Sequence, residues 1–128
     1  MKALLFLVST LISAQLFAAT VELGKYTAVA KEFPEAKANL ELMDGGLATL
    51  SVDAEGTPVN CNGTYNVIDN TFRSHVYCDN EQVPEVNVII DITNVTADGL
   101  RSEAGVEVPV IFDLMGEDAF IFILKKVD

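Results

Sequence analysis

The chain has 128 residues, 50% of them hydrophobic, a size and composition that point to one globular domain and exclude a disordered or fibrous chain. Nineteen acidic residues against eight basic ones give a net charge of −11, which excludes nucleic acid or an anionic membrane surface as an electrostatically captured partner. With one His, two Cys and no Trp, the chain lacks the residue sets of nucleophilic, zinc or redox catalysis, so no enzymatic activity and no cofactor are expected.

Met1 to Ala19 reads as a signal peptide. Lys2 supplies the positive start, Ala3 to Val8 with Leu11, Ile12, Leu16 and Phe17 the apolar stretch, and Phe17-Ala18-Ala19 the small residues for cleavage. Ser9, Thr10, Ser13 and Gln15 interrupt the stretch, which is shorter than the ~20 apolar residues of a membrane span. Neither cysteine follows it closely enough for lipid attachment. A periplasmic or secreted product of residues 20–128 is therefore expected, one domain with no membrane insertion after cleavage.

From Val21 onward the apolar residues recur with period two, in short runs broken by Gly, Pro, Asp and Asn, which defines an all-β class. The expected strands are Val21–Ala28, Ala38–Met43, Leu47–Asp53, Val59–Ile68, Thr71–Asp79, Glu85–Thr93, Leu100–Glu103, Val106–Met115 and Ala119–Val127. Pro34 makes Lys31–Lys37 a loop or at most one helical turn.

Paired residues of an antiparallel hairpin have numbers that sum to a constant. A two-residue turn at Asp69-Asn70 sets that constant at 139, which Cys61 and Cys78 share, so the turn places the two cysteines directly opposite each other. In a secreted chain they are expected to form a disulfide. One face of this hairpin then carries Cys61, Tyr65, Val67, Phe72, Val76 and Cys78, and the other Asn62, Thr64, Asn66, Arg73, His75 and Tyr77. In the next clear case, Asp44-Gly45-Gly46 as a three-residue loop makes Met43 oppose Leu47 and gathers Leu40, Leu42, Ala48, Leu50 and Val52 on one face. The last hairpin turns at Gly116-Glu117-Asp118 and directs Val110, Phe112 and Leu114 inward with Phe120, Phe122 and Leu124. Its outer face is apolar too: Ile111, Ile121 and Ile123 point outward, with Ile89 of an earlier strand, and form a candidate interface for a protein partner or a second copy.

Eight or nine sequential hairpin strands form an up-and-down meander, which closes into a small antiparallel barrel to hide its edges; a two-sheet sandwich is the alternative. Gly24-Lys25-Tyr26 in the first strand, a long loop after it and Lys125-Lys126 late in the last strand together resemble the lipocalin-like (calycin) barrels. Those carry Gly-x-Trp in the first strand and a basic residue late in the last that packs over the Trp; here Tyr26 takes the Trp position. The resemblance implies a cavity for a small apolar ligand. Tyr26, Leu40, Leu42, Leu50, Tyr65, Phe72, Phe112, Phe120 and Phe122 are its candidate lining, or else simply core.

Alternate loops of a meander share an end, so Lys31–Lys37, Asp53–Pro58, Asp79–Glu85 and Glu103–Gly105 are expected on one acidic rim. Such a rim keeps the protein soluble; a weak Ca²⁺ site is the functional alternative, without the spacing of a dedicated metal loop. His75 falls on the outer face away from Ser74, which separates the sole His from the nearest hydroxyl. The sequons at Asn62 and Asn94 matter only in a cell that glycosylates its secretory proteins. Two functions are expected: a non-enzymatic barrel for a small apolar ligand, or a protein-interaction module such as an inhibitor or envelope assembly factor.

Overall fold

A computed structural model describes residues 21–54, 56–113, 116 and 118–127. The segment read as a signal peptide, Met1–Ala19, lies outside them, as do Leu114 and Glu117 of the last hairpin and the rim residue Glu55. Eight strands run in chain order: β1 (Gly24–Ala30), β2 (Lys37–Met43), β3 (Leu47–Ala54), β4 (Thr57–Ile68), β5 (Thr71–Cys78), β6 (Glu85–Asp91), β7 (Val106–Phe112) and β8 (Phe120–Lys126). Each pairs antiparallel with its neighbours and β8 returns to β1, so the meander is a closed barrel and not a sandwich.

The registers of β4–β5 and β2–β3 are set by their turns. In β4–β5, Asp69 adopts a positive φ of 56° and every pair from Ile68↔Thr71 to Cys61↔Cys78 keeps the constant of 139. In β2–β3, Gly45 and Gly46 both take positive φ, Met43 opposes Leu47, and Leu42, Ala48 and Leu50 are buried. In β7–β8, Val110 pairs with Phe120 and Val108 with Phe122, which turns Val108, Val110, Phe122 and Leu124 into the core. The lumen is apolar and the outward faces of β4 and β5 are polar. No helix among the described residues is long and apolar enough to cross a membrane.

The expected strand Leu100–Glu103 is instead the last part of a short helix, α1 (Ala97–Arg101). Thr96 caps it, its hydroxyl oxygen accepting from the Gly99 N–H at 3.0 Å, while Asp98 in the first turn and Arg101 in the last complement the helix dipole. Five residues cannot hold a helix alone in water. Tertiary burial holds this one: Leu100 is 3% exposed and plugs the end of the barrel with Val21, Ile92 and Val95. Arg101 also reaches the Glu22 carboxylate at 2.9 Å, tying the plug to the chain just before β1.

Losing one strand exchanges the barrel ends for every connection after it. The connections at 31–36, 55–56, 79–84 and 113–119 share one end of the barrel, and Glu103 lies at the other end beside the plug. The expected rim is therefore corrected: Asp113 and Asp118 occupy it in place of Glu103. The first strand also begins later than expected, at Gly24 instead of Val21, and the seventh observed strand ends at Phe112.

Candidate functional site

The lumen is packed at the plugged end and hollow toward the opposite one. The hollow holds about 70 Å³ and its surface is apolar. Its cause lies in the register: Ala28 and Ala38 are partners across β1–β2, Ala28 also faces Leu124 of β8, and Ala38 faces Val52 of β3. Two methyl-sized side chains meeting where neighbouring positions carry Leu and Val leave space that no other residue fills. Lys37, whose side chain is exposed, and Ala36 of the 31–36 loop are among the lining residues, so the hollow reaches the surface at the end away from the plug.

Of the candidate lining residues, Leu40, Leu50, Phe72, Phe112 and Phe122 border this hollow. Tyr26 and Leu42 sit at the plugged end, around a smaller space of about 20 Å³ that Leu40 and Phe72 also touch. Tyr65 stacks on Phe72 with ring centroids 5.6 Å apart, and Phe120 leans on Phe112 at 6.4 Å. Reading the sequence for large inward side chains overlooks Ala28, Ala38, Val88 and Ile90, which line the hollow together with Val52, Val110 and Leu124 of the faces already read as inward. The alanines are the informative ones, and their signal is smallness at an inward position.

Among the lining residues of the hollow, the only hydroxyl is that of Ser74, which is 3% exposed and donates to the backbone carbonyl of Thr64 at 2.9 Å. Among the described residues, the lumen thus presents no unsatisfied side-chain polar group. No protein-family model matches the chain, and no curated protein or solved structure matches it. The site has to be read from its own chemistry.

That chemistry is apolar inside and acidic at the mouth. Glu32, Glu35, Asp53, Asp79, Glu81 and Asp118 lie on connections or strand ends at the open end, and the lysines there are Lys31 and Lys37. Lys31 turns away to the outer wall, where its ammonium meets the Glu107 carboxylate at 2.8 Å; this bond and charge hold the lysine above its usual pKa. Among the described residues, no three side chains of metal-ligand type come together.

His75 is outside the barrel. Its Nδ1 meets Asn87 Oδ1 at 2.6 Å and its Nε2 meets Glu85 Oε2 at 2.9 Å, so both ring nitrogens are engaged. The Asn87 amide nitrogen in turn donates to Asp113 at 2.7 Å, an outer polar string that ties β5, β6 and the end of β7. Ser74 points into the lumen, away from the imidazole on the outer face of the same strand.

The outward isoleucines do form a connected row. Ile89 opposes Ile111 across β6–β7, Ile121 opposes Pro109 across β7–β8, and Ile123 is flanked by Val29 of β1. Ile121 is 38% exposed; Ile89, Ile111 and Ile123 are half-buried. Part of their cover is the Lys31–Glu107 pair. It joins the residue after β1 to β7 across the outer side of β8, beside this row.

Proposed function

We propose that the protein is a non-enzymatic, lipocalin-like binding protein of the periplasm or the extracellular space that seats a small apolar group in the open half of its lumen. One observation carries the reading: a hollow of about 70 Å³ with an apolar surface that reaches solvent at one end of an otherwise filled barrel. An apolar surface of this kind gives water no hydrogen-bond partners, and filling it with carbon recovers contacts that its walls otherwise lack. An engineered cavity of about 150 Å³ accepts benzene, so about half that volume suits a short alkyl group. Drug-sized ligands need roughly 300 Å³ or more, which excludes a whole sterol or retinoid from the lumen as it stands. The bridge between Cys61 and Cys78 supports an oxidising compartment, in line with the leader-like start of the chain.

Titration with xenon and with n-butanol, followed by amide chemical shifts, tests this. Shifts confined to β1, β2 and the facing strands are expected, and Ala38→Leu, which fills the hollow, should abolish them without unfolding the barrel. Absence of any saturable shift with either probe overturns the proposal.

A second reading, a protein-interaction module such as an inhibitor or assembly factor, is favoured by the Ile89–Ile111–Ile121–Ile123 row on the outer wall. A connected apolar row on a chain this acidic is the surface where a partner would lose least by desolvation.

A further inference from the structure

Asp113 accepts twice from one residue: the Asn87 N–H reaches its Oδ1 at 3.0 Å and the Asn87 Nδ2 reaches its Oδ2 at 2.7 Å. An ionised carboxylate offers only acceptors, so this double contact fixes which end of the Asn87 amide faces Asp113. The amide Oδ1 is therefore the atom turned to His75, 2.6 Å from Nδ1. An amide oxygen cannot donate, so Nδ1 must carry a proton. On the other side of the ring the Glu85 carboxylate lies 2.9 Å from Nε2, and it too can only accept, so Nε2 must carry a proton as well. Only the imidazolium satisfies every contact in the string.

We infer that His75 is a proton-dependent clasp on Glu85, closed while the ring holds two protons and open once it holds one. The proton that leaves is the one on Nε2. Without a proton on Nδ1, a ring lone pair would face Asn87 Oδ1, and turning the amide to relieve this would set Oδ1 against Asp113. Losing the Nε2 proton breaks a single contact, with a Glu85 side chain that is 55% exposed and free to swing into water. Neutral His75 is thus held with its proton on Nδ1. Glu85 is the first residue of β6 and follows the 79–84 connection, so the clasp fastens the start of that strand to β5 at the open end of the barrel. Around the ring, β5 itself brings Arg73 and Tyr77 on the same outer face, the Tyr77 ring edge-on with centroids 5.0 Å apart. From β4, Thr64 stands opposite His75; from β6 and the end of β7 come Glu85, Asn87 and Asp113. Two carboxylates against one guanidinium favour the charged ring. The clasp is independent of what the lumen holds.

His75 is the sole histidine of the chain, so its ring ¹⁵N shifts, followed from about pH 5 to about pH 9, read both protons directly. Both nitrogens should be protonated in acid; in alkali Nε2 should carry a lone pair while Nδ1 keeps its proton. The Cys78 amide donates to the carbonyl of Pro84, next to Glu85, at 2.8 Å. Over the same range its hydrogen exchange, corrected for the intrinsic pH dependence, should accelerate about threefold, the scale of an exposed charged pair. Glu85→Gln keeps the clasp shut in either state, because its amide can donate to a bare Nε2, so exchange at Cys78 should no longer follow the ring. If that variant fails to fold, the ring shifts and exchange of the unaltered protein decide alone. A neutral ring with its proton on Nε2 overturns the inference. So does exchange at Cys78 that ignores the titration of His75, or that still follows it in Glu85→Gln.

Discussion

The Lys126 ammonium lies 5.4 Å from the centre of the Tyr26 ring, and the two residues are register partners in the β1–β8 pairing that closes the barrel. A basic residue over an aromatic ring at this seam is compatible with a calycin-like fold, with a phenol in place of an indole. The phenol adds something an indole lacks: its hydroxyl donates to the Glu22 carbonyl at 2.5 Å and accepts from the Glu22 N–H at 3.0 Å. Tyr26 is 3% exposed, so the chain before β1 is bent back onto the ring that anchors the seam.

Burial, ahead of all other influences, raises the Tyr26 pKa above its ordinary value. The stability linked to this group is therefore complete below the unfolded phenol pKa of about 10 and is lost as pH rises through the higher folded value. Denaturant midpoints should fall in alkaline solution above pH ~10, and Tyr26→Phe should flatten that fall while lowering stability near neutrality by about 1 kcal/mol through the lost hydrogen bonds. An unchanged alkaline slope in the variant would assign the effect to another group.

Cys61 and Cys78, 17 residues apart, are bonded across β4 and β5 near the open end. Reduction, or Cys61→Ala with Cys78→Ala, should cost about 3 kcal/mol in the chain-entropy account. Intact mass should rise by two hydrogens on reduction, and no thiol should react with an alkylating reagent before it.

Gly63 is the point of closest strand approach. A Cβ placed there would stand 2.0 Å from the His75 carbonyl oxygen and 2.8 Å from Val76 Cα, and Val76 is fully buried. Backbone atoms of a paired strand cannot step aside as a flexible side chain would. Gly63→Ala should therefore destabilise by at least about 2 kcal/mol, an overpacking penalty measurable by urea unfolding.

On the outer wall, Ile121→Thr with Ile123→Thr keeps β-propensity and removes apolar surface. The variant should stay folded with a loss of under ~2 kcal/mol, since both side chains are outside the core, and any self-association of the natural chain should disappear in sedimentation. A loss of several kcal/mol would return these residues to the core.

Two hairpins are legible in the amino-acid order because each is closed by a tight turn that sets its own register, Asp44-Gly45-Gly46 and Asp69-Asn70; in β7–β8 only the inward and outward faces are legible, since Val110 pairs with Phe120 and not with the partner that a turn at Gly116-Glu117-Asp118 would give it. The disulfide is legible for the same reason. The helix over Ala97–Arg101 is not, although Thr96, Asp98 and Arg101 are a capping signature, because one turn of helix exists only where Leu100 finds a lumen to plug. Reading that segment as a strand misplaces Glu103, since one strand more or fewer exchanges the ends of the barrel.

Period-two patterning and turn chemistry act between neighbours in the chain, and they determine the all-β class, the inward and outward faces and the pairing of Cys61 with Cys78. The candidate site is decided elsewhere. Ala28 meets Ala38 across a six-residue connection that is longer than the two- and three-residue loops of the legible hairpins, and Tyr26 meets Lys126 only when the first and last strands close. Such pairings join segments whose relative register no local interaction specifies; the whole barrel settles it by burying its apolar faces together. The hollow exists because two small inward residues fall side by side in that register, so only the tertiary structure could show it.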